Sequence, residues 1–402
     1  MMRYLLRYLV AFIAFALPYF ATRDAHAYAW MIRHEYTSCA TCHADPSGGS
    51  ILTPYGRMQS ELLLRSWYDG SKPSDRDPGT LGDFAFGVVK LPEPLLLQVD
   101  VRDAVLQEVP TTGTAPTARL INMQTDLAGQ VTAGRFRVNG SIGALLGKSG
   151  GAPTWVLGRQ DIHLVSRHHW LGVDLGEDKS WLLRAGRMNL PYGIRSIEHE
   201  LWVRKEPGVD INSAQQHGAA ISYSGEKLRG ELMLIAGNFQ ISPDDYRQRG
   251  YSAFIEWSQA NNATAGISSK LTRAEIDGRF GAATIRQSHG LFGRYALGKM
   301  AVFSGQVDML LASPKSSSTQ VGITSALQAD IEPWQGLHLL GTGELLQRSF
   351  TRESLGFGLW GGAHWFFLPH MDLRADVIYR NEDAGAGRFG TFAFLGQVHA
   401  FL

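Results

Sequence analysis

Cysteine is almost missing from this chain. Its 402 residues hold two, Cys39 and Cys42, and they stand together. A structural zinc site needs four ligands and usually a second cysteine pair, which this chain lacks. Charge of one sign is also lacking. Lys and Arg number 38 against 37 Asp and Glu, a formal net charge of +1, which gives no argument for a nucleic-acid partner. Past the N-terminus no run of about 18 apolar residues occurs, so no second transmembrane helix is expected. Beyond residue 70 helical periodicity is nearly absent, and no repeat of propeller type stands out. No Ser-His-Asp, P-loop or paired-carboxylate signature rises above chance.

What is there begins with the cysteines themselves. They lie in Cys39-Ala40-Thr41-Cys42-His43, a C-x-x-C-H run. That spacing suits covalent haem attachment. Each thiol can add to one haem vinyl group, and the adjacent histidine reaches the iron from the same side. A redox dithiol needs C-x-x-C but has no use for the histidine. The expectation is one covalent haem c, with Cys39 and Cys42 as thioether residues and His43 as the proximal iron ligand.

The N-terminus reads as a secretory leader over 1–27. Arg3 and Arg7 precede an apolar stretch, Leu9 to Leu17, too short to span a bilayer. Pro18 breaks it, and Ala25-His26-Ala27 is a cleavage pattern. Export fits the motif, because thioether attachment in bacteria takes place outside the inner membrane. Residues 28–68 then form the haem segment. Asp45-Pro46-Ser47-Gly48-Gly49 is turn-rich. Thr53 and Pro54 read as N-cap and first residue of a short helix over about 54–67. Forty residues are too few for a self-standing core, so the segment needs a wall from elsewhere. A linker is expected over 69–94.

From there to the end the pattern is alternation. Leu373, Ala375, Val377 and Tyr379 interleave with Asp372, Arg374, Asp376 and Arg380, a period of 2. Sixteen candidate strands can be marked: 95–108, 119–132, 135–147, 157–175, 181–189, 216–224, 227–237, 250–259, 263–273, 280–296, 299–311, 319–331, 336–348, 355–367, 371–380 and 389–402. Most are longer than the roughly 5 or 6 residues usual in soluble proteins. Their connections alternate between long and tight, the habit of an outer-membrane barrel with long outer loops and short periplasmic turns. The expected fold is therefore all-β, a transmembrane antiparallel barrel of about sixteen strands over 95–402. A small α/irregular haem c plug precedes it. A soluble all-β sheet is the competing reading. Asp100, Arg102, Lys227, Arg229, Glu231, Asp308, Glu344, Arg374 and Asp376 are expected to face the lumen.

The order of parts resembles the fused monohaem c-type cytochrome–porin family of iron-oxidising bacteria. A leader, one C-x-x-C-H near the mature N-terminus, the run Leu52-Thr53-Pro54-Tyr55-Gly56-Arg57 and a porin-like barrel follow one another. The family has a similar Leu-Thr-x-Phe-Gly-Arg run after its haem motif; Tyr55 stands here where it usually has Phe. The resemblance implies an electron conduit in the outer membrane of a Gram-negative bacterium. Electrons would pass from extracellular Fe(II) through the haem to a periplasmic c-type cytochrome or another soluble carrier. An alternative is a transport porin whose haem plug gates or senses a ligand. A soluble periplasmic haem enzyme is a third class.

Further candidates follow from residue chemistry. The distal iron ligand could be Met58 or His34, with the barrel histidines His163, His199, His217, His289, His338, His364 and His399 also open. A Met58 ligand would raise the potential; packing is its ordinary role. Arg57 could pair with a haem propionate, or with a barrel-wall carboxylate. In the span 190–215, expected as the longest outer loop, Glu198, His199 and Glu200 suit Fe(II). Adjacent residues converge on one ion only if the chain folds back, so a solvated or inward-folded loop is the competing reading.

Overall fold

The computed structural model of the chain describes residues 29–49, 51–66, 82–111, 115–146, 162–196, 198, 200–383 and 387–402. The expected leader, the first half of the expected linker and His199 lie outside the described residues.

Seventeen strands form one antiparallel sheet. In chain order they are β1 Leu95–Pro110, β2 Thr117–Ala133, β3 Phe136–Leu146, β4 Ile162–Val165, β5 His169–Leu175, β6 Trp181–Met188, β7 Gln216–Ser224, β8 Leu228–Gly237, β9 Arg249–Ala260, β10 Ala263–Ala274, β11 Thr284–Leu297, β12 Ala301–Pro314, β13 Gln320–Trp334, β14 Leu337–Gln347, β15 Gly356–Leu368, β16 Met371–Asp383 and β17 Arg388–Phe401. β4 and β5 both pair with β3, so they are two halves of one stave. β17 pairs with β1, from Asp100 opposite Phe401 to Pro110 opposite Thr391. The sheet therefore closes as a sixteen-stave barrel, and each expected strand has its stave.

Alternation builds the staves, and its sense decides the surroundings. On β16, Leu373 and Val377 are 40% and 48% exposed, while Arg374 and Asp376 between them are buried. The same inversion holds on β8, where Leu232 and Leu234 face out and Glu231 and Met233 face in. Valine, leucine, isoleucine and tryptophan cover the outside all round the barrel. A soluble sheet would bury that face. Apolar outside and polar inside, with every staves' edge paired by closure, is the surface a bilayer requires. The barrel is transmembrane. Of the expected lumen residues, Asp100, Glu231, Asp308, Glu344, Arg374 and Asp376 are buried inside. Lys227 is the exception: it sits exposed in the β7–β8 turn, where alternation no longer governs.

Two segments fill the lumen. The N-terminal one opens with a 3-10 helix, Ala29–His34, and includes the helix α1, Pro54–Gln59. The helix expected to reach residue 67 changes at Ser60 into a wider π-type turn, Ser60–Leu64. This segment docks on the rim of tight turns. Ser66 N donates to Phe366 O (2.8 Å), His370 N to Ser60 Oγ (3.1 Å), and Gln335 Nε2 to Leu62 O and Arg65 O (both 3.1 Å). Trp30, Met31, Leu64, Val302, Phe366 and Phe401 form an apolar cluster behind it.

The second segment is the β6–β7 connection, residues 189–215. It is an inward-folded loop. Tyr192 Oη donates to Asp308 (2.9 Å), Trp202 N to Glu344 (2.9 Å) and Ile194 N to Gln306 Oε1 (2.9 Å). Lys270 reaches across to Pro207 O.

Candidate haem site between the two lumen segments

The C-x-x-C-H run is wound on itself. Cys39 O accepts from Cys42 N (3.2 Å) and His43 N (3.0 Å), closing a 3-10 turn over Cys39–Thr41. The chain then doubles back. His43 bridges Leu52, Ala44 N donates to Ile51 O (2.9 Å), and Thr53 N donates to Cys42 O (2.9 Å). Thr53 Oγ1 accepts from Gly56 N (3.0 Å), the N-cap of α1, with Pro54 first in the helix. This seats α1 directly on the motif. A Cβ at Gly56 would overlap the Cys42 carbonyl oxygen, so glycine is the residue that fits. Gly48, at φ +77°, brings the 45–49 turn against Cys39, a conformation glycine adopts without strain. Asp45 anchors that turn through Arg184 (2.7 Å) and Ser47 N (2.8 Å). Burial works to raise its carboxyl, but Arg184, His168 and the Ser47 hydrogen bonds together outweigh burial and hold it at about 2.

Both cysteines are buried and not joined in a disulfide. Burial, with the Cys39 sulfur beside it, pushes the Cys42 thiol up to about 12. A redox dithiol needs a lowered thiol, which Cys42 does not have.

Cys39, Cys42 and His43 line a cavity between the two lumen segments. It holds about 150 Å³ of space and is partly open to solvent. One side is the N-terminal segment: Met31, Gly48, Leu52, Gly56 and Leu64. The other is barrel wall and inward loop, with Arg102, Arg167, His168, Arg195 and His399.

Arg195 tests the fit to a haem. All three of its guanidinium nitrogens are shut off from solvent, and none has a hydrogen-bond partner. Its pKa is lowered chiefly by burial, against the pull of Glu231 and Asp45. An unpaired buried cation is costly. It is the group expected opposite a carboxylate, and haem carries two propionates. The donor set on the cavity wall and the orphaned cation fit the group.

The other sequence candidates fall elsewhere. Arg57 is buried, but it donates to Leu97 O and lies over the Phe84 ring, 5.3 Å from its centroid. It does not line the cavity; Arg195 and Arg102 do. Met58 is half-buried off the cavity, its side of α1 turned away from the motif that Gly56 touches. His34 faces Glu332 (3.7 Å) at the tight-turn rim. Two other cavity residues, His168 and Met31, supply the same ligand chemistry. His168 sits in a polar run, Ser166-Arg167-His168-His169, inside an otherwise alternating stretch, and that break was its one sequence signal.

Glu198 and Glu200 do not meet. Glu198 is buried against Arg374 (2.7 Å), whose guanidinium also holds Asp376. Burial works to raise Glu198, but Arg374 together with hydrogen bonds from Gln328 and the backbone outweighs it and holds the carboxyl below its ordinary value. Glu200 pairs with Lys205 (2.8 Å) at the surface. Among the described residues no group of three His, Cys, Asp or Glu side chains could hold a metal ion. The ion pair at Glu198 ties the loop inward, in keeping with the inward-folded reading of this span, while His199 lies outside the described residues. Of the remaining histidines, His338, His364 and His399 are buried in the lumen. His399 binds Asp372 through Nδ1 (2.9 Å) and Asp100 through Nε2 (3.2 Å). His217 pairs with His169 (3.1 Å), and His289 with Ser269 (2.9 Å).

No family model matches the chain, and no curated protein does. Solved structures do match in fold. A loop L8 deletion mutant of OmpT, an outer membrane protein of Vibrio cholerae, superposes with a TM-score of 0.59 at 11% identity, over 77% of this chain and 100% of that one. An anion-selective porin from Comamonas acidovorans gives 0.58 at 13% identity, over 77% and 99%. The outer membrane channel DcaP of Acinetobacter baumannii gives 0.54 at 11%, over 77% and 97%. At these identities the likeness is one of fold: this chain shares the closed porin-type barrel.

Proposed function

We propose that this chain is an outer-membrane electron-transfer protein of the cytochrome–porin kind, holding one haem c in its lumen. The observation that carries the reading is the meeting of rare groups on one cavity. The only two cysteines of the chain and the adjacent His43 stand on one side, and the orphaned Arg195 guanidinium stands on the other. When bound, the haem supplies one-electron redox chemistry. Cys39 and Cys42 tether it, and His43 is its proximal ligand. Arg195 and Arg102, both on the cavity wall, would meet the propionates. Met31, Leu52, Leu64 and Phe401 keep water from that side of the cavity.

The hydrocarbon layer is about 30 Å thick, more than one haem spans. A second carrier is therefore part of the account. The N-terminal segment docks on the tight-turn rim, which in outer-membrane barrels faces the periplasm, so a periplasmic c-type cytochrome would exchange electrons there. The donor, Fe(II) in this reading, approaches from the long-loop rim across the 189–215 segment. It loses one electron and leaves as Fe(III). The leader over 1–27 would deliver the chain for export and haem attachment.

The test is Fe(II) oxidation by haem-loaded protein in liposomes, with an enclosed cytochrome c as acceptor and Cys39→Ala as control. Oxidation that depends on Cys39 supports the reading; equal rates overturn it. A second reading, a solute path gated by the plug, draws on the cations Arg102, Arg167 and Arg195 along the cavity. Bilayer conductance separates the two: a plug-dependent anion current would favour the porin.

A further inference from the structure

We propose that His168 is the second axial ligand of the haem iron, opposite His43. The proposal rests on the haem reading above and deepens it. The stave made by β4 and β5 is broken at Ser166–His168. Strand alternation would send Arg167 and His168 to opposite faces. Here both line the cavity. The break does this, as bulges beside functional sites re-aim side chains. Its backbone is fixed without help from the imidazole. Ser141 Oγ accepts from Arg167 N (3.1 Å) and His168 N (3.0 Å), and Ser141 N donates to His168 O (2.8 Å). The loss of ladder pairing at this point is thereby made good, so the fold has no stability reason of its own for the ring's direction.

The ring itself is the anomaly. His168 is only 7% exposed, and neither Nδ1 nor Nε2 has a hydrogen-bond partner. Asn189, whose Oδ1 is also unpartnered, and the Asp45 and Asp126 carboxylates lie near it, but none makes a well-formed hydrogen bond to the ring. Leaving one such group unsatisfied costs about 1–3 kcal/mol. A neutral imidazole with an unused lone pair is the form that binds iron. Coordination would account for one nitrogen.

The rivals on the same cavity are committed elsewhere. Both nitrogens of His399 are engaged by carboxylates, Asp100 and Asp372. Met31 is packed in the apolar cluster with Trp30, Ile32 and Phe366. Bis-imidazole ligation has two consequences. It closes the iron to small ligands, which suits electron transfer, and it sets the potential below that of a His/Met pair.

The experiment is optical and magnetic spectroscopy on the full chain, matured with haem and purified in detergent. The wild type should be six-coordinate and low-spin in both oxidation states and slow to take carbon monoxide. His168→Ala should become five-coordinate when reduced, bind carbon monoxide at once, and recover the wild-type spectrum on adding imidazole. Met31→Leu should keep the wild-type spectrum. A haem-loaded His168→Ala with an unchanged spectrum overturns the proposal, and so does loss of the low-spin spectrum in Met31→Leu. Where His168→Ala does not fold, His168→Met keeps a ligand and should raise the reduction potential; an unchanged potential overturns the proposal. A wild-type chain that carries no covalent haem on a denaturing gel overturns the haem reading, and this proposal with it. A loaded chain indifferent to His168 overturns this proposal alone.

Discussion

The two segments that fill the lumen both pack apolar side chains but differ in how they are tied to the barrel. The N-terminal one is held by apolar packing and by hydrogen bonds to the tight-turn rim, at Phe366, Gln335 and His370. Two charged anchors add to these, Arg33 with Asp330 and Glu332, and Asp45 with Arg184. The 189–215 loop is held by buried polar side chains: Glu198 to Arg374, Tyr192 to Asp308, Glu206 to Arg348, Lys270 to the loop backbone. The difference teaches where chemistry and shape divide. The first segment carries the reactive residues on a locally closed scaffold. The second is a lid over the cavity that contributes Arg195 and packs Leu190, Tyr192, Val209, Leu201 and Val203 against the barrel wall.

Variants can break this division. The largest effect belongs to the first segment. Cys39→Ala together with Cys42→Ala should abolish covalent haem, read by haem staining after denaturing electrophoresis, while the barrel still folds and shows heat-modifiable migration. Next comes the lid. Arg374→Ala strands Glu198 and Asp376 in the interior, and breaking a buried pair in this way costs about 3–5 kcal/mol. Protease nicking within 189–215 should rise sharply, with residues 29–66 unaffected. Equal nicking of both segments would show that they are one cooperative unit.

A smaller effect returns to the scaffold. Gly56→Ala must push α1 off the Cys42 carbonyl, an overpacking of about 1–3 kcal/mol. Haem incorporation should fall while barrel thermal stability holds. Acid gives a graded version of the lid experiment. The folded Glu198 pKa lies below its unfolded value of about 4.3. Its contribution is therefore complete above that value, and it is lost as pH falls through the folded pKa. Loop nicking should increase only below about pH 4.3, and Glu198→Gln should remove that dependence. The smallest effect is at Glu200, whose pair with Lys205 is exposed. Glu200→Ala should change stability by less than about 1 kcal/mol, and a larger loss would place Glu200 inside the lid's support.

The barrel was legible because its signal is local and repeated. Sixteen stretches of period-2 alternation, separated by connections of alternating length, need no knowledge of which stave meets which. Even the interrupted stave was found as one stretch, 157–175. The haem motif was legible for the same reason: five adjacent residues carry it. What escaped depends on pairing across the lumen. Glu198 meets Arg374 over 176 residues of chain, so its neighbours suggested a metal site where the fold makes an ion pair. Arg57 and Met58 were close to the motif in sequence, yet Gly56 is the residue of α1 that touches it, and the side chains beside it turn away. Arg195 and His168 come from distant staves and loops. Their significance lies in what they lack, bonding partners, which only the folded chain reveals.

The most direct test of the central claim is the intact mass of the mature chain, exported together with a haem c maturation system, combined with thiol titration after unfolding. The account predicts a chain heavier by one haem with no titratable thiol, and a haem-free but folded barrel for the Cys39→Ala, Cys42→Ala form. A folded wild-type barrel that carries no added mass and yields two free thiols on unfolding would contradict it.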